Sequence, residues 1–378
     1  MPPMLRPCLL LLLLAACEAD PPALGPDSGT RTPRFPTTPG PDAGSDADSG
    51  VPCTTSGPEV LATVSLAIGD LAADDEYIYF TETGTNTGGG QAGAVGRILH
   101  NGGAPEVIAA NEALPSWLGV DHRAVYWTAG RSGVGTSTAG IRFLPHGAEA
   151  PLTLWRGQAY RFGVGAGYLL AWTLNATERV ELRRFVLPAA PGNPSTVVRT
   201  LPMDTWAGQF GLVRITSRAA YWVEMASTAA VDPEPPRILE LLHTENTPRV
   251  IVEGLENDFF AASDDFLYFL EPAEPPGFVR YELASGREEF VPTPRLDLPL
   301  SVLSAFELGV GGLYAAWIGV DRSAAVDRLH LEGGPACRAL LDPNHGAPST
   351  IYLGLPYRPV GEFVYYRRDF RQIARFPR

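Results

Sequence analysis

The chain has no lysine. All 29 of its basic residues are arginine, against 42 acidic ones, so the formal charge is −13 and no basic stripe is available to displace counterions from a phosphate backbone. Nucleic-acid binding is thereby disfavoured. An all-arginine repertoire at so many unrelated positions fits a GC-rich coding sequence and carries no function of its own. Long apolar runs are missing after residue 16, where nothing approaches the roughly 18 residues that a membrane-crossing helix needs. Cysteine is scarce, at positions 8, 17, 53 and 337 only. No nucleophile elbow, P-loop, HExxH or CxxC pattern occurs. His100, His146, His243 and His330 fall at corresponding turns of a repeat, too far apart to share a metal, and read as exposed turn residues.

What is present begins with an address. Residues 1–16 hold one cation, Arg6, an unbroken leucine run from Leu9 to Leu14, and the small residues Ala15 and Ala16. That is the pattern of a secretory signal peptide, whose removal would take the formal charge from −13 to −14. Leu14-Ala15-Ala16-Cys17 resembles the lipobox of bacterial lipoproteins, which implies a diacylated Cys17 as the mature N-terminus. Plain secretion with an unmodified Cys17 is the alternative. Residues 17–57 follow as a tether, with eight prolines and little that is large and apolar, a composition that cannot offset its own ordering entropy. As a coil it spans roughly 35 Å. Asp42, Asp46 and Asp48 hint at calcium-loop spacing, but no glutamate follows where such a loop needs one, so they read as linker charge.

Residues 58–378 repeat. Phe80, Trp127, Trp172, Trp222, Phe269, Trp317 and Tyr366 occupy the same place in successive hydrophobic strands, at spacings of 47, 45, 50, 47, 48 and 49 residues. The first unit shows the plan: a strand over 68–72, a turn at Asp74-Asp75-Glu76, a strand over 77–82, a Gly-rich loop over 84–96, and a hairpin of strands 97–100 and 105–109 around Asn101-Gly102-Gly103. Four short strands per unit of about 46 residues is the size of a propeller blade. Pro58-Glu59-Val60-Leu61-Ala62 echoes Pro105-Glu106-Val107-Ile108-Ala109, the fourth strand of the first unit, yet precedes that unit, while the seventh unit stops after a third strand. The expected fold is all-β: a seven-bladed β-propeller closed by pairing of the N-terminal strand with the last blade. Closure removes the edges that an open row of sheets would expose. A solenoid is the alternative, and it would need polar caps.

Tyr79-Phe80-Thr81-Glu82, Tyr126-Trp127-Thr128-Ala129 and Tyr221-Trp222-Val223-Glu224 resemble degenerate YWTD-like and TolB-like propeller repeats. Together with the lipobox and tether, the whole chain resembles surface lipoproteins of myxobacteria. The aspartate that closes a YWTD unit is missing from every repeat, and the resemblance transfers no catalytic residue. It implies an exported protein held by lipid at the bacterial cell envelope, with the outer membrane as the expected address. With Cys8 removed and Cys17 lipidated, Cys53 and Cys337 form an even pair in an oxidising compartment, and ring closure would make them neighbours. A disulfide is expected; two independent thiols are the alternative.

The mouth of the central channel is the expected ligand site. Eight residues before the reference aromatic stand Ala72, Gly119, Ala261 and Gly309, with Gly163 nine before its own, whereas Arg214 and Arg358 take that place in repeats four and seven. Those arginines are candidates for a cationic site for an anion or carboxylate; the competing reading turns them to solvent or into ion pairs. Trp117, Tyr160, Trp206, Phe259, Phe306 and Tyr357 come just upstream of inner strands and could ring the mouth for a sugar or partner chain, unless inter-blade cores take them. Three functions remain. The leading one is a monomeric, non-catalytic module that needs no cofactor and binds an envelope protein or glycan. The second is a lactonase-type or lyase-type enzyme with calcium held by carboxylates such as Asp70, Asp258 and Glu307. The third, an assembly factor, would show a broad exposed apolar patch.

Overall fold

A computed structural model of the chain describes residues 57–84, 92–130, 139–175, 177, 179–188, 194–201, 211–224, 236–255, 257, 259–271, 277–292, 302–309, 312–318, 324–329, 337–342, 357–360, 363–368 and 371–377. For 292, 302–306, 309, 318, 324, 329, 337–342 and 357–360 only the backbone is described. The expected segments at 1–16 and 17–56, with Cys17 and Cys53, lie outside these residues.

The described strands form seven antiparallel sheets of four. β1 (Glu59–Thr63) stands ahead of the first complete blade, β2 (Ala67–Ala73), β3 (Tyr77–Thr83), β4 (Gly93–Leu99) and β5 (Glu106–Glu112). Blade two is β6 (Leu118–Val120), β7 (Ala124–Ala129), β8 (Gly140–Pro145) and β9 (Leu152–Arg156). Blade three is β10 (Ala159–Gly165), β11 (Tyr168–Leu174), β12 (Val180–Val186) and β13 (Ser195–Leu201). Blade four is β14 (Val213–Ile215), β15 (Ala219–Glu224), β16 (Arg237–Leu242) and β17 (Arg249–Glu253). Blade five is β18 (Phe260–Ala262), β19 (Phe266–Glu271), β20 (Gly277–Glu282) and β21 (Glu288–Pro292). Blade six is β22 (Val302–Gly309), β23 (Gly312–Ile318), β24 (Ala324–Leu329) and β25 (Cys337–Asp342). Blade seven joins β26 (Tyr357–Val360), β27 (Phe363–Arg367) and β28 (Gln372–Pro377) to β1, in the order β1-β28-β27-β26. The closure expected from the echo at Pro58 is therefore present.

Each innermost strand lies against the next, from β2 through β6, β10, β14, β18, β22 and β26 back to β2. A blade is thus covered on both faces, which is why second strands such as β7 and β15 are buried at every position rather than alternating. Seven apolar clusters result, one at each interface between blades. Alternating strand direction gives the ring two faces. First-to-second and third-to-fourth connections share one, the turn face; second-to-third and blade-to-blade connections share the other, the loop face.

Local chemistry explains the tight turns. Asp74 Oδ1 accepts from the amides of Glu76 and Tyr77 at 2.9 and 2.8 Å, Asp121 Oδ1 from those of Arg123 and Ala124, Thr216 Oγ1 from those of Arg218 and Ala219, and Ser263 Oγ from that of Phe266. These are side-chain-capped turns on four blades. Gly102 adopts φ 87° in the hairpin where Asn101-Gly102-Gly103 had predicted a turn. The Gly-rich loop is shorter than expected, because Gly93 to Gly96 belong to β4. Gly96 sits beneath the Phe80 ring, where a Cβ would come within 2.4 Å of a ring carbon, so glycine there serves close packing.

Blades are also clasped by polar groups. Asp70 Oδ2 accepts the Leu118 amide of blade two at 2.8 Å, and Asp264 of blade five accepts the amide and hydroxyl of Ser217 in blade four at 2.8 and 2.6 Å. The Ser217 hydroxyl holds the Asp264 carboxyl below the ordinary carboxylate value of 3.8, opposed by burial and helped by Thr216 and the amides of Ser217 and Arg218. A depressed pKa in the folded state stabilises above the unfolded value, and the contribution disappears as pH falls through the folded one. Asp264→Asn should therefore lower the unfolding temperature at about pH 7. That difference should close below the ordinary carboxylate value of 3.8, as read by thermal melts across an acid series.

At the seam, Arg375 Nε and Nη2 reach Glu59 at 2.8 and 3.2 Å, and its Nη1 donates to the His100 carbonyl of blade one. Arg367 Nη1 donates to the Ile68 carbonyl at 2.6 Å, and the Val64 amide to that of Arg371 at 2.8 Å. Cys337 opens β25, the outer strand of the blade next to β1, but its side chain and Cys53 lie outside what is described.

Candidate functional site

Register, rather than residue offset, identifies which positions line one level of the axis. Each second strand carries a tyrosine that faces the next blade, and the residue paired with it on the innermost strand marks the level. The pairs are Ala72 with Tyr79, Gly119 with Tyr126, Gly165 with Tyr168, Arg214 with Tyr221, Ala261 with Tyr268, Glu307 with Tyr314 and Arg358 with Tyr365. All seven tyrosines are at least nine-tenths buried. In five blades the reference aromatic directly follows this tyrosine. In blades three and six it does not, since Trp172 and Trp317 stand four and three positions on. Gly163 and Gly309, chosen by counting back from those aromatics, are therefore replaced at this level by Gly165 and Glu307. In blade six Glu307 keeps the usual spacing from its tyrosine and only the displaced Trp317 misleads the count, whereas in blade three a tight turn also brings Gly165 close to Tyr168.

The consequence is electrostatic. Arg214 Nη2 meets Glu307 Oε1 at 2.8 Å, joining blade four to blade six. Because β18 stands between β14 and β22, the pair closes on the axis side of blade five, past the small Ala261. The two side chains are 23% and 18% exposed, so this ion pair is neither a solvated surface contact nor fully desolvated. Arg358 occupies the same level on blade seven, with only its backbone described.

Glu307 was a candidate calcium ligand, and here a guanidinium holds its carboxylate. Asp70, a second candidate, accepts the Leu71 and Leu118 amides through its two oxygens. Asp258 lies outside the described residues, and no group of three or more His, Cys, Asp or Glu side chains suited to a metal occurs among the described residues.

At the loop face near the axis, Trp117 precedes β6 and is half-buried, with the Arg161 guanidinium 4.6 Å over its ring. Tyr160, also half-buried, accepts a hydrogen bond from the Gln158 amide, and burial pushes its hydroxyl up to about 12. Tyr160 packs against the core between blades three and four, and Phe259 against that between five and six, whereas Trp117 joins none of the seven clusters. The segment carrying Trp117 has positive φ at Asn111 and Leu114, 60° and 46°, the latter just before Pro115. Such backbone is uncommon in a non-glycine residue and most of all before proline. Glu112 pins the segment by accepting from Trp127 Nε1 at 2.9 Å and pairing with Arg142 at 3.4 Å. Trp206 lies outside the described residues, and Phe306 and Tyr357 are described by backbone alone.

The histidines hold more than their turn positions suggested. His100 Nε2 contacts the Asp74 carbonyl at 2.9 Å and its Nδ1 the Tyr365 hydroxyl at 2.7 Å; His243 does the same with the Thr216 carbonyl and Tyr168. A carbonyl only accepts, so Nε2 donates and the tyrosine of the preceding blade donates to Nδ1. His146 repeats the carbonyl contact, to Asp121, while staying exposed, and His330 lies outside the described residues. The signal was their recurrence at the blade period alongside a tyrosine.

The fold is that of a seven-bladed β-propeller. No protein-family model and no curated protein sequence matches the chain. Among solved structures it is similar to a prolyl endopeptidase at 12% identity and TM-score 0.56, over 82% of this chain and 46% of that one. It is similar to the β-propeller domain of the Trilobed protease from Pyrococcus furiosus at 11% identity and TM-score 0.55, over 82% and 96%. Prolyl oligopeptidase B from Galerina marginata matches at 10% identity and TM-score 0.54, over 82% and 49%. The chain spans about half the length of the two whole peptidases. Likeness at these identities concerns the fold alone.

Proposed function

We propose that the chain is a monomeric, exported propeller, anchored by lipid on Cys17 at the outer membrane, that binds an envelope protein or glycan without catalysis. The observation that carries this reading is Trp117 stacked under Arg161 on the loop face. A rigid indole beside a guanidinium offers a large contact area together with a hydrogen-bonding edge, and loses little entropy on binding. Support also comes from the second reading's own residues: Asp70 and Glu307, offered as calcium ligands of an enzyme, are held by backbone amides and by Arg214. Exposed large apolar residues such as Val60, Val107, Leu152, Val197 and Val250 are spread over the outer strands of five blades, a distribution that does not favour an assembly factor with one broad patch. The envelope address and the YWTD-like and TolB-like kinship rest on the sequence resemblances.

The test immobilises the full chain and the Trp117→Ala/Arg161→Ala variant, each with its unfolding temperature checked, and exposes both to native envelope extract and to a glycan panel. The wild type should retain a protein or glycan that the variant releases at least about tenfold faster. Equal retention by both would overturn the proposal.

A further inference from the structure

Blades two and three form a cationic sector in an acidic chain. Residues 118–201 hold nine of the 29 arginines against four of the 42 acidic residues. Glu112 of blade one and Glu224 of blade four take one arginine each, Arg142 and Arg199, and the seven that remain still outnumber the four acids. At the rim of this sector β13 is the outermost strand of blade three, and no described strand pairs with its far side. An edge strand points alternate amides and carbonyls away from its sheet, and proteins guard such edges by making them short, charged or bulged. β5 has the same seven residues but carries Glu106 and Glu112 at its ends and breaks register twice, and the other outer strands have five or six residues. β13 reads Ser-Thr-Val-Val-Arg-Thr-Leu, rich in strand formers, and its one charge, Arg199, is turned across to Glu224. Thr196, Val197 and Thr200 are exposed.

Val197 lies opposite Arg183, so it shares the face toward blade two with that guanidinium, which sits 4.7 Å over the Trp155 ring of β9. Leu152 of β9, opposite Phe143 in the core between blades two and three, turns toward the same gap. Val197 and Leu152 are 41% and 39% exposed, one on each side of it. We propose that β13 takes up an extended, acidic segment of a protein partner as a fifth, antiparallel strand of blade three. Main-chain hydrogen bonds to the open edge supply the attachment, apolar side chains at every second place of the segment lie against Val197 and Leu152, and its carboxylates match the positive sector in sign. This surface is on the rim, and it stands whether or not Trp117 and Arg161 hold a partner at the loop face.

The experiment titrates the full chain into a fluorescein-labelled, capped heptapeptide, Glu-Val-Glu-Val-Thr-Val-Glu, by fluorescence anisotropy, with hydrogen exchange read on the same mixtures. Saturable binding is expected, with new amide protection over 195–201. The same peptide N-methylated at every second residue is made in both phases; the phase that faces β13 should bind at least about tenfold more weakly, because its donors are gone. Val197→Asp, an exposed substitution, should weaken binding about tenfold at an unchanged unfolding temperature, whereas Val197→Lys should stay within about threefold of the wild type. The proposal falls if the peptide does not bind saturably, if both N-methylated forms bind as the parent does, or if Val197→Asp binds unchanged. It falls equally if a peptide with lysine in place of each glutamate binds as tightly, or if oligogalacturonate, an acidic glycan without amides, competes at the same concentration. A concentration-dependent dimer of the chain alone that Val197→Asp abolishes would make the occupant a second copy and also overturn it. Retention through Trp117 and Arg161 is measured on the same preparations. Peptide failure with intact retention removes the rim site alone, and lost retention with intact peptide binding removes the loop-face reading alone.

Discussion

A chain that begins after Val64 should lose its single cooperative unfolding transition and aggregate. Without β1, blade seven has three strands and β28 becomes an open edge, the kind of edge that templates association. Ala62 and Val64 also leave the cluster in which they pack with Ile68, Leu71, Phe80, Tyr365 and Ile373. Arg375 loses Glu59 in the same step and keeps only its donation to the His100 carbonyl, beside the Arg367 and Tyr365 contacts that still join blades seven and one. Circular dichroism melts and size-exclusion profiles of the two chains provide the comparison. A truncated chain that melts in one transition at the wild-type temperature would show that the ring does not need its opening strand.

Replacing Glu224 by alanine should be the most damaging single substitution among the described polar residues. Its carboxylate, 6% exposed, receives Arg199 at 2.9 and 3.1 Å, Arg237 at 3.1 and 3.3 Å, and Trp222 Nε1 at 3.4 Å. Removing it leaves two half-buried guanidiniums facing each other without their shared anion, across the interface of blades three and four. Breaking a buried ion pair by deleting one partner costs about 3–5 kcal/mol, and the partial exposure of both arginines places this case toward the lower end. Denaturant unfolding measures the loss. The triple replacement of Glu224, Arg199 and Arg237 by apolar residues of similar volume should recover most of it, because the cost lies in the orphaned charges rather than in the absent pair.

The architecture was legible because covered blades demand apolar second strands at a fixed spacing, and because Pro58-Glu59-Val60 repeats a fourth strand ahead of the first. The axis was legible only in part. Arg214 and Arg358 sit at matching offsets, but the offset fails wherever the reference aromatic does not directly follow the tyrosine, so Glu307 was set beside Asp70 as a calcium candidate and Gly309 took its place. Indole rings misled for a physical reason: a tryptophan fills an inter-blade gap from several strand positions, as Trp172 and Trp317 do, whereas the tyrosine is held to one by its hydroxyl and its reach to the next blade. His100 and His243 were hidden differently. Their partners come from another blade, and no local pattern names a neighbour 265 or 75 residues away.

The pairing of Glu59 with Arg375 puts the beginning of the first strand beside the end of the last. Any mechanical load arriving through the residues ahead of Glu59 therefore enters the wheel at its fastening point and pulls on the outermost ribbon of blade seven. Such a pull would peel β1 away one rung at a time, starting at that arginine, before it strained any of the other six blades. Tension would thus open the ring at this seam and expose the β28 edge ahead of any other strand.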